Sequence, residues 1–151
     1  MSRRDPIALP DPDATEALGA RLGAVLQPGD AVLLHGDLGA GKTTLARGLI
    51  AALCEVDEVP SPTYTLMQHY DTRAGDWLVH ADLYRIEDED ELVELGLDEA
   101  FDGAICLIEW PDRLGRQLPE RRIDLHLKAD GEARIADIVI VGDWGDRLDN
   151  V

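Results

Sequence analysis

The segment Gly36-Asp-Leu-Gly-Ala-Gly41-Lys42-Thr43 constrains this chain more than any other stretch, because it matches G-x-x-x-x-G-K-[ST] in the context that pattern requires. An apolar run, Ala31-Val-Leu-Leu34, precedes it and reads as a buried strand. After it, Lys42 to Cys54 carries Leu45, Leu49, Ile50 and Leu53 along one side of a helix. Glycines let successive backbone N–H groups converge on phosphate oxygens at the positive end of a helix. The loop therefore nominates the glycines Gly36, Gly39 and Gly41 as phosphate contacts, with Lys42 reaching the β- and γ-phosphates and the Thr43 hydroxyl placed for Mg²⁺. Lys42 is one of two lysines in the chain, so it is no member of a solvated lysine face.

A strand, a phosphate turn and a helix in that order predict an α/β fold, and the remaining pattern agrees. Asp13 to Leu26 places Ala14, Leu18, Leu22 and Leu26 at helical spacing, with Asp13 or Thr15 as the expected cap. Tyr64 to Tyr70 and Trp77 to Leu83 read as strands joined around Gly75. Ala104 to Ile108 is apolar throughout, as strands buried on both faces are. Ile123 to Lys128 and Arg134 to Val141 flank Asp130-Gly131, a hairpin signal. The expected architecture is a three-layer sandwich of the P-loop NTPase kind, with a mixed sheet and a C-terminal antiparallel hairpin, formed as one domain over residues 1–151.

The 151 residues carry 14 Lys plus Arg against 31 Asp plus Glu, a formal charge of −17, and such a field repels phosphate backbones and anionic lipid. Cys54 and Cys106 lack metal spacing and read as small buried hydrophobes of a reducing compartment. With neither a leader pattern nor a long apolar window, the expected location is the cytoplasm.

A phosphate loop that turns over a nucleotide needs acids on neighbouring strands. Asp82 ends the run Trp77 to Ala81 and Glu109 ends the run Ala104 to Ile108, so both are expected at the carboxyl end of a sheet, where open α/β folds bind ligands. Spacing leaves open which acid holds metal and which orients water. Ser61-Pro62-Thr63-Tyr64 offers hydroxyls on a proline-stiffened loop, either as a phosphate-sensing segment or as a plain connection. Trp110 is a candidate to pack over the site or to fill the rim. The acidic run Glu87 to Glu91 reads as a solvated face, and Arg113, Arg116, Arg121 and Arg122 as contacts for a partner or for local acids. His35, His69, His80 and His126 show no ligand spacing, and structural roles are expected for them.

With these residues placed, the chain resembles the TsaE (YjeE) family of small bacterial P-loop ATPases. The likeness spans nearly the whole chain and is carried by Gly36 to Thr44, Ser61-Pro-Thr-Tyr-Thr-Leu66, Ala81-Asp-Leu-Tyr-Arg85, Glu91-Leu, Leu95-Gly and Ile105-Cys-Leu-Ile-Glu-Trp-Pro111. The resemblance implies an ATP- and Mg²⁺-dependent role in the threonylcarbamoyl modification of adenosine 37 of tRNA. In that role the chain binds the TsaB–TsaD complex, and its ATP cycle lets that complex turn over. The tRNA is reached only through those partners. The resemblance further implies Mg²⁺ on Thr43 and Glu109, catalytic roles for Asp82 and Lys42, nucleotide contacts on Gly39, Ala40, Gly41, Lys42, Thr43 and Thr44, a switch-like segment containing Thr63, nucleotide contact by Trp110, and an approach of Thr15 to the adenine.

Read from bare residues, a small P-loop kinase for a nucleoside or metabolite is the alternative, with Arg113 to Arg122 as its lid. A GTPase would need Asn-Lys-x-Asp, and the one asparagine is Asn150. An acidic adaptor whose ATP site only gates docking is a non-enzymatic alternative.

Overall fold

A computed structural model describes residues 1–37, 41–55, 67–149 and 151. The order is β1 (Ser2–Arg3), β2 (Ile7–Leu9), α1 (Pro12–Gly23), β3 (Ala31–His35), α2 (Lys42–Leu53), β4 (Met67–Asp71), β5 (Trp77–Asp82), α3 (Glu89–Leu95), α4 (Leu97–Gly103), β6 (Ile105–Glu109), a 3₁₀ turn (Pro111–Leu114), β7 (Arg122–Asp130) and β8 (Ala133–Val141). One mixed sheet runs β1-β8-β7-β3-β6-β5-β4, with β2 also on β8. Its centre, β7-β3-β6-β5, is parallel, and antiparallel strands close both sides.

Alternating residues divide the sheet between two cores. Leu78, Ile105, Leu107, Val32 and Leu34 pack with Leu18, Leu22, Leu45 and Leu49 of α1 and α2. Val79, Ala81, Cys106, Ile108 and Leu33 face the other way, onto Leu92 and Leu97 of α3 and α4. Helix, sheet and helix make the expected three layers. Burial pushes the Cys106 thiol up to about 12 and raises that of Cys54, so both are inert, unpaired thiols.

Three local readings differ from the sequence pattern. Helix α1 starts earlier, because Asp11 rather than Asp13 or Thr15 caps it: its carboxylate accepts the Ala14 N–H at 2.8 Å, and Pro12 takes the first helical position. It also ends at Gly23, three residues short of Leu26. The N-terminal strands β1 and β2 exist only through pairing with β8, which short segments cannot announce. Asp88 caps α3 and Gly96 ends it with φ 76°, and α4 starts immediately.

Helices α1 and α2 lie nearly backbone to backbone. A Cβ on Gly19 would run into the Leu45 carbonyl, and one on Gly48 into the Glu16 carbonyl. This contact draws the start of α1 to the start of α2.

Candidate active site around the phosphate loop

Strands β3, β5 and β6 are parallel, so His35, Asp82 and Glu109 all lie at the same end of the sheet. From that end the chain passes into the glycine-rich turn and enters α2 at Gly41. Gly41 has φ 99°, which glycine adopts without penalty, and it brings no side chain to cap the helix. A helix start without a side-chain cap can offer its first amides to an anionic ligand. Gly36, with φ 150°, opens the same turn. Gly39, Ala40 and Thr63 lie outside the described residues, as does the whole Ser61 to Leu66 segment.

Lys42 is 5% exposed, and its ammonium has no hydrogen-bond partner among the described residues. It sits 4.1 Å from the ring centre of Trp110. Among the described residues this buried cation meets a π face and no hydrogen-bond acceptor, and a phosphate oxygen would supply one. Trp110 adopts φ 56° and ψ 54°, a region that bulky residues avoid, immediately after β6. The Tyr84 ring also packs against Trp110, tilted by 55° at 4.9 Å between ring centres. Thr43 is exposed and Thr44 half-buried on the first turn of α2.

Asp82 and Glu109 are register partners on adjacent parallel strands. Their environments differ. Glu109 is 5% exposed, and its Oε2 accepts a hydrogen bond from His80 Nε2 at 2.8 Å. Asp82 is half-buried, and one of its oxygens accepts the Tyr84 N–H at 3.0 Å, so it also shapes the turn that follows. Residues 78, 80 and 82 share the face of β5 that looks toward α2, which explains why His80 reaches the acid. His80, for which a structural role is expected from sequence, is thus joined to the candidate metal acid. Its position two residues before Asp82 was the available signal.

Thr15 is buried at the start of α1. A side chain at Gly41 would meet its Cγ2 at 3.7 Å and the Arg134 Cγ at 3.9 Å. Thr15 and Arg134 thus flank the end of the loop. Arg134 arrives from β8, and nothing local in the sequence points to it.

The other candidates fall elsewhere. Arg121 bonds Asp30 and Arg122 bonds Asp124, so these two members of the basic cluster neutralise acids of the fold. In the acidic run, Asp88 accepts the Asp90 N–H and Glu91 accepts the Glu87 N–H, the local bonds of a helix start. His35 Nε2 lies 2.9 Å from Asp124, and its ring stacks on His126 at 4.1 Å. Among the described residues no cluster of His, Cys, Asp and Glu makes a metal site of its own, and no helix is long and apolar enough to cross a membrane.

Comparison with known proteins bears on this site. A family model described as "Threonylcarbamoyl adenosine biosynthesis protein TsaE" matches residues 9–136. A Bacillus subtilis protein named tRNA threonylcarbamoyladenosine biosynthesis protein TsaE is 42% identical over 123 residues, covering 81% of this chain and 76% of its own. A protein of the same name from Haemophilus influenzae is 40% identical, covering 78% and 74%. The crystal structure of B. subtilis YdiB superposes with a TM-score of 0.77 at 31% identity, over 93% of this chain and 87% of that one. The match contains α1, the phosphate loop, Asp82, Glu109 and Arg134, and on this evidence the chain belongs to the TsaE family of threonylcarbamoyl adenosine biosynthesis proteins.

Proposed function

We propose that this chain is a Mg²⁺-dependent ATPase that serves tRNA threonylcarbamoyladenosine formation by binding, and cycling with, the TsaB–TsaD complex. The observation that carries the nucleotide part is the buried Lys42 ammonium, without a hydrogen-bond partner among the described residues, beside a helix start that has no side-chain cap. The family supports the pathway, and the curated relatives are named for it.

The residues present fit Mg-ATP. In this reading the α2 amides and Lys42 hold the phosphates, and Trp110 gives up the Lys42 ammonium when they arrive. The adenine lies toward Thr15 and Arg134. Thr43 and Glu109 hold Mg²⁺, which would draw charge from the phosphate oxygens when bound. Asp82, at the register position beside Glu109, orients the attacking water or accepts its proton. Gly39, Ala40, Thr44 and Thr63 complete the nucleotide contacts.

Two measurements test the reading together. Nucleotide titration should show Mg²⁺-dependent ATP binding that Lys42→Ala abolishes or severely weakens. Affinity capture from the native extract should retain TsaB and TsaD with ATP present and lose them with Lys42→Ala. Wild-type ATP binding by Lys42→Ala would overturn the site, and capture independent of nucleotide would overturn the cycling role.

A further inference from the structure

We propose that His80 is a positioning residue for the divalent-cation site: its Nε2–H ties down one oxygen of Glu109 and so presents the other to the metal. The inference deepens the functional reading above and rests on it.

Three observations meet here. The first is geometry. His80 Nε2 lies 2.8 Å from Glu109 Oε2, with the two side chains 2% and 7% exposed. An ionised carboxylate only accepts, so Nε2 carries the hydrogen and donates. The second is placement. His80 and Glu109 stand on adjacent parallel strands, on the face that carries α2. The third is a cost. His80 Nδ1 is buried with no hydrogen-bond partner among the described residues. A histidine kept only to fill volume would have both nitrogens satisfied, or would be a leucine or phenylalanine. An orphaned buried nitrogen is tolerated where the other nitrogen has a job.

That job is orientation. A buried carboxylate without donors is expensive, and it also rotates about its last bond. One fixed donor removes both problems while leaving half of the carboxylate free to ligate. Such partners of metal ligands matter by about 10- to 100-fold in metal affinity.

The test uses the full chain, Mn²⁺ as probe and ATP as the co-ligand. His80→Phe fills the volume without a donor, and His80→Gln puts an amide N–H near the Nε2 position. Mn²⁺ affinity of the protein–ATP complex, read by electron paramagnetic resonance, should fall about 10- to 100-fold in His80→Phe and recover most of that in His80→Gln. ATP affinity without metal should stay at the wild-type level in both. Independently, ¹⁵N-histidine NMR of the metal-free wild type should show a slowly exchanging Nε2–H on His80 that shifts in Glu109→Gln. Unchanged Mn²⁺ affinity in folded His80→Phe would overturn the proposal, as would a Gln variant no better than Phe or an Nδ1–H tautomer in the wild type. If His80→Phe does not fold, the tautomer and the Gln variant decide. A wild-type protein that binds neither ATP nor Mn²⁺ would overturn the functional reading itself, a different result from any of these.

Discussion

Two acids of similar chemistry stand side by side, and under the proposed function their different surroundings would divide the work between them. Glu109 is buried and held by His80, the condition of a ligand fixed before substrate arrives. Asp82 is more open and bonded through one oxygen to the backbone of Tyr84, which leaves it able to meet water. Glu109→Ala should therefore raise the Mg²⁺ requirement and weaken Mg-ATP binding. Asp82→Ala should leave binding near normal and lower turnover by about 10²–10⁴-fold, the mark of a contact made only in the transition state. Affinity and turnover across a Mg²⁺ series check this, and an exchange of the two phenotypes would reverse the roles. A second residue-scale expectation concerns pH. Burial pushes the His126 imidazole below its ordinary value, and the stacked His35 ring adds to this, as does Lys128. Asp124 and Asp137 oppose it. Folding therefore favours neutral His126, and the unfolded chain binds its proton first as pH falls through about 6.5. Stability should decline as pH drops from about 7 towards 5, and His126→Gln should flatten part of that slope in thermal melts over the range.

At the scale of elements, the site depends on how closely α1 approaches α2. Gly48 and Gly19 carry no side chain where each helix meets a carbonyl of the other, and this seats Thr15 against the loop. Gly48→Ala must push the helices apart, so it should cost about 1–3 kcal/mol and loosen the loop as well. A lower denaturation midpoint at unchanged slope, together with weaker ATP binding, is the expected pair of readings. Most elements were legible locally. The strand–turn–helix of the phosphate loop, the apolar β6 and the β7–β8 hairpin all carry their signals within one contiguous stretch each, from Ala31 to Leu53, Ile105 to Glu109 and Arg122 to Val141. The cap at Asp11 was missed because three acids, Asp11, Asp13 and Glu16, crowd that start and only geometry chooses among them. Strands β1 and β2 were missed because their stabilisation comes from β8, more than a hundred residues on.

The whole molecule is tied at its far end by Asp30, 0% exposed at the entry to β3. Its carboxylate accepts from Arg121 at 2.7 Å, from Arg147 at 2.7 and 3.1 Å, and from the Gln27 N–H at 2.8 Å. Trp144 packs under the Arg147 guanidinium at 4.7 Å, so one acid anchors the C-terminal segment to the central strand. Asp30→Ala leaves both guanidiniums without their anion. It should cost on the order of 3 kcal/mol, the low end for a broken buried pair because Arg121 and Arg147 still reach water. Denaturant unfolding reads this directly, and the proposed nucleotide binding at the opposite end of the sheet should survive. The chain's net charge of −17 makes a separate prediction: the isolated protein should not bind tRNA at about 0.15 M salt. Tight binding in a filter or mobility assay would show that Arg113 and Arg116 form a footprint that overrides the field.

The sequence by itself determined the class of fold, and it nominated the phosphate loop and the two candidate acids. Each rests on local physics: glycine conformations, alternation along a strand, and an acid at a strand's end. Only the tertiary structure decided that Asp82 and Glu109 are register partners, that His80 grips Glu109, that Lys42 rests on Trp110, and that Arg134 arrives beside Gly41. These contacts join residues 27 to 93 positions apart. Strand order, register and helix approach create such neighbours through the packing of two cores around one sheet, and no local spacing encodes them.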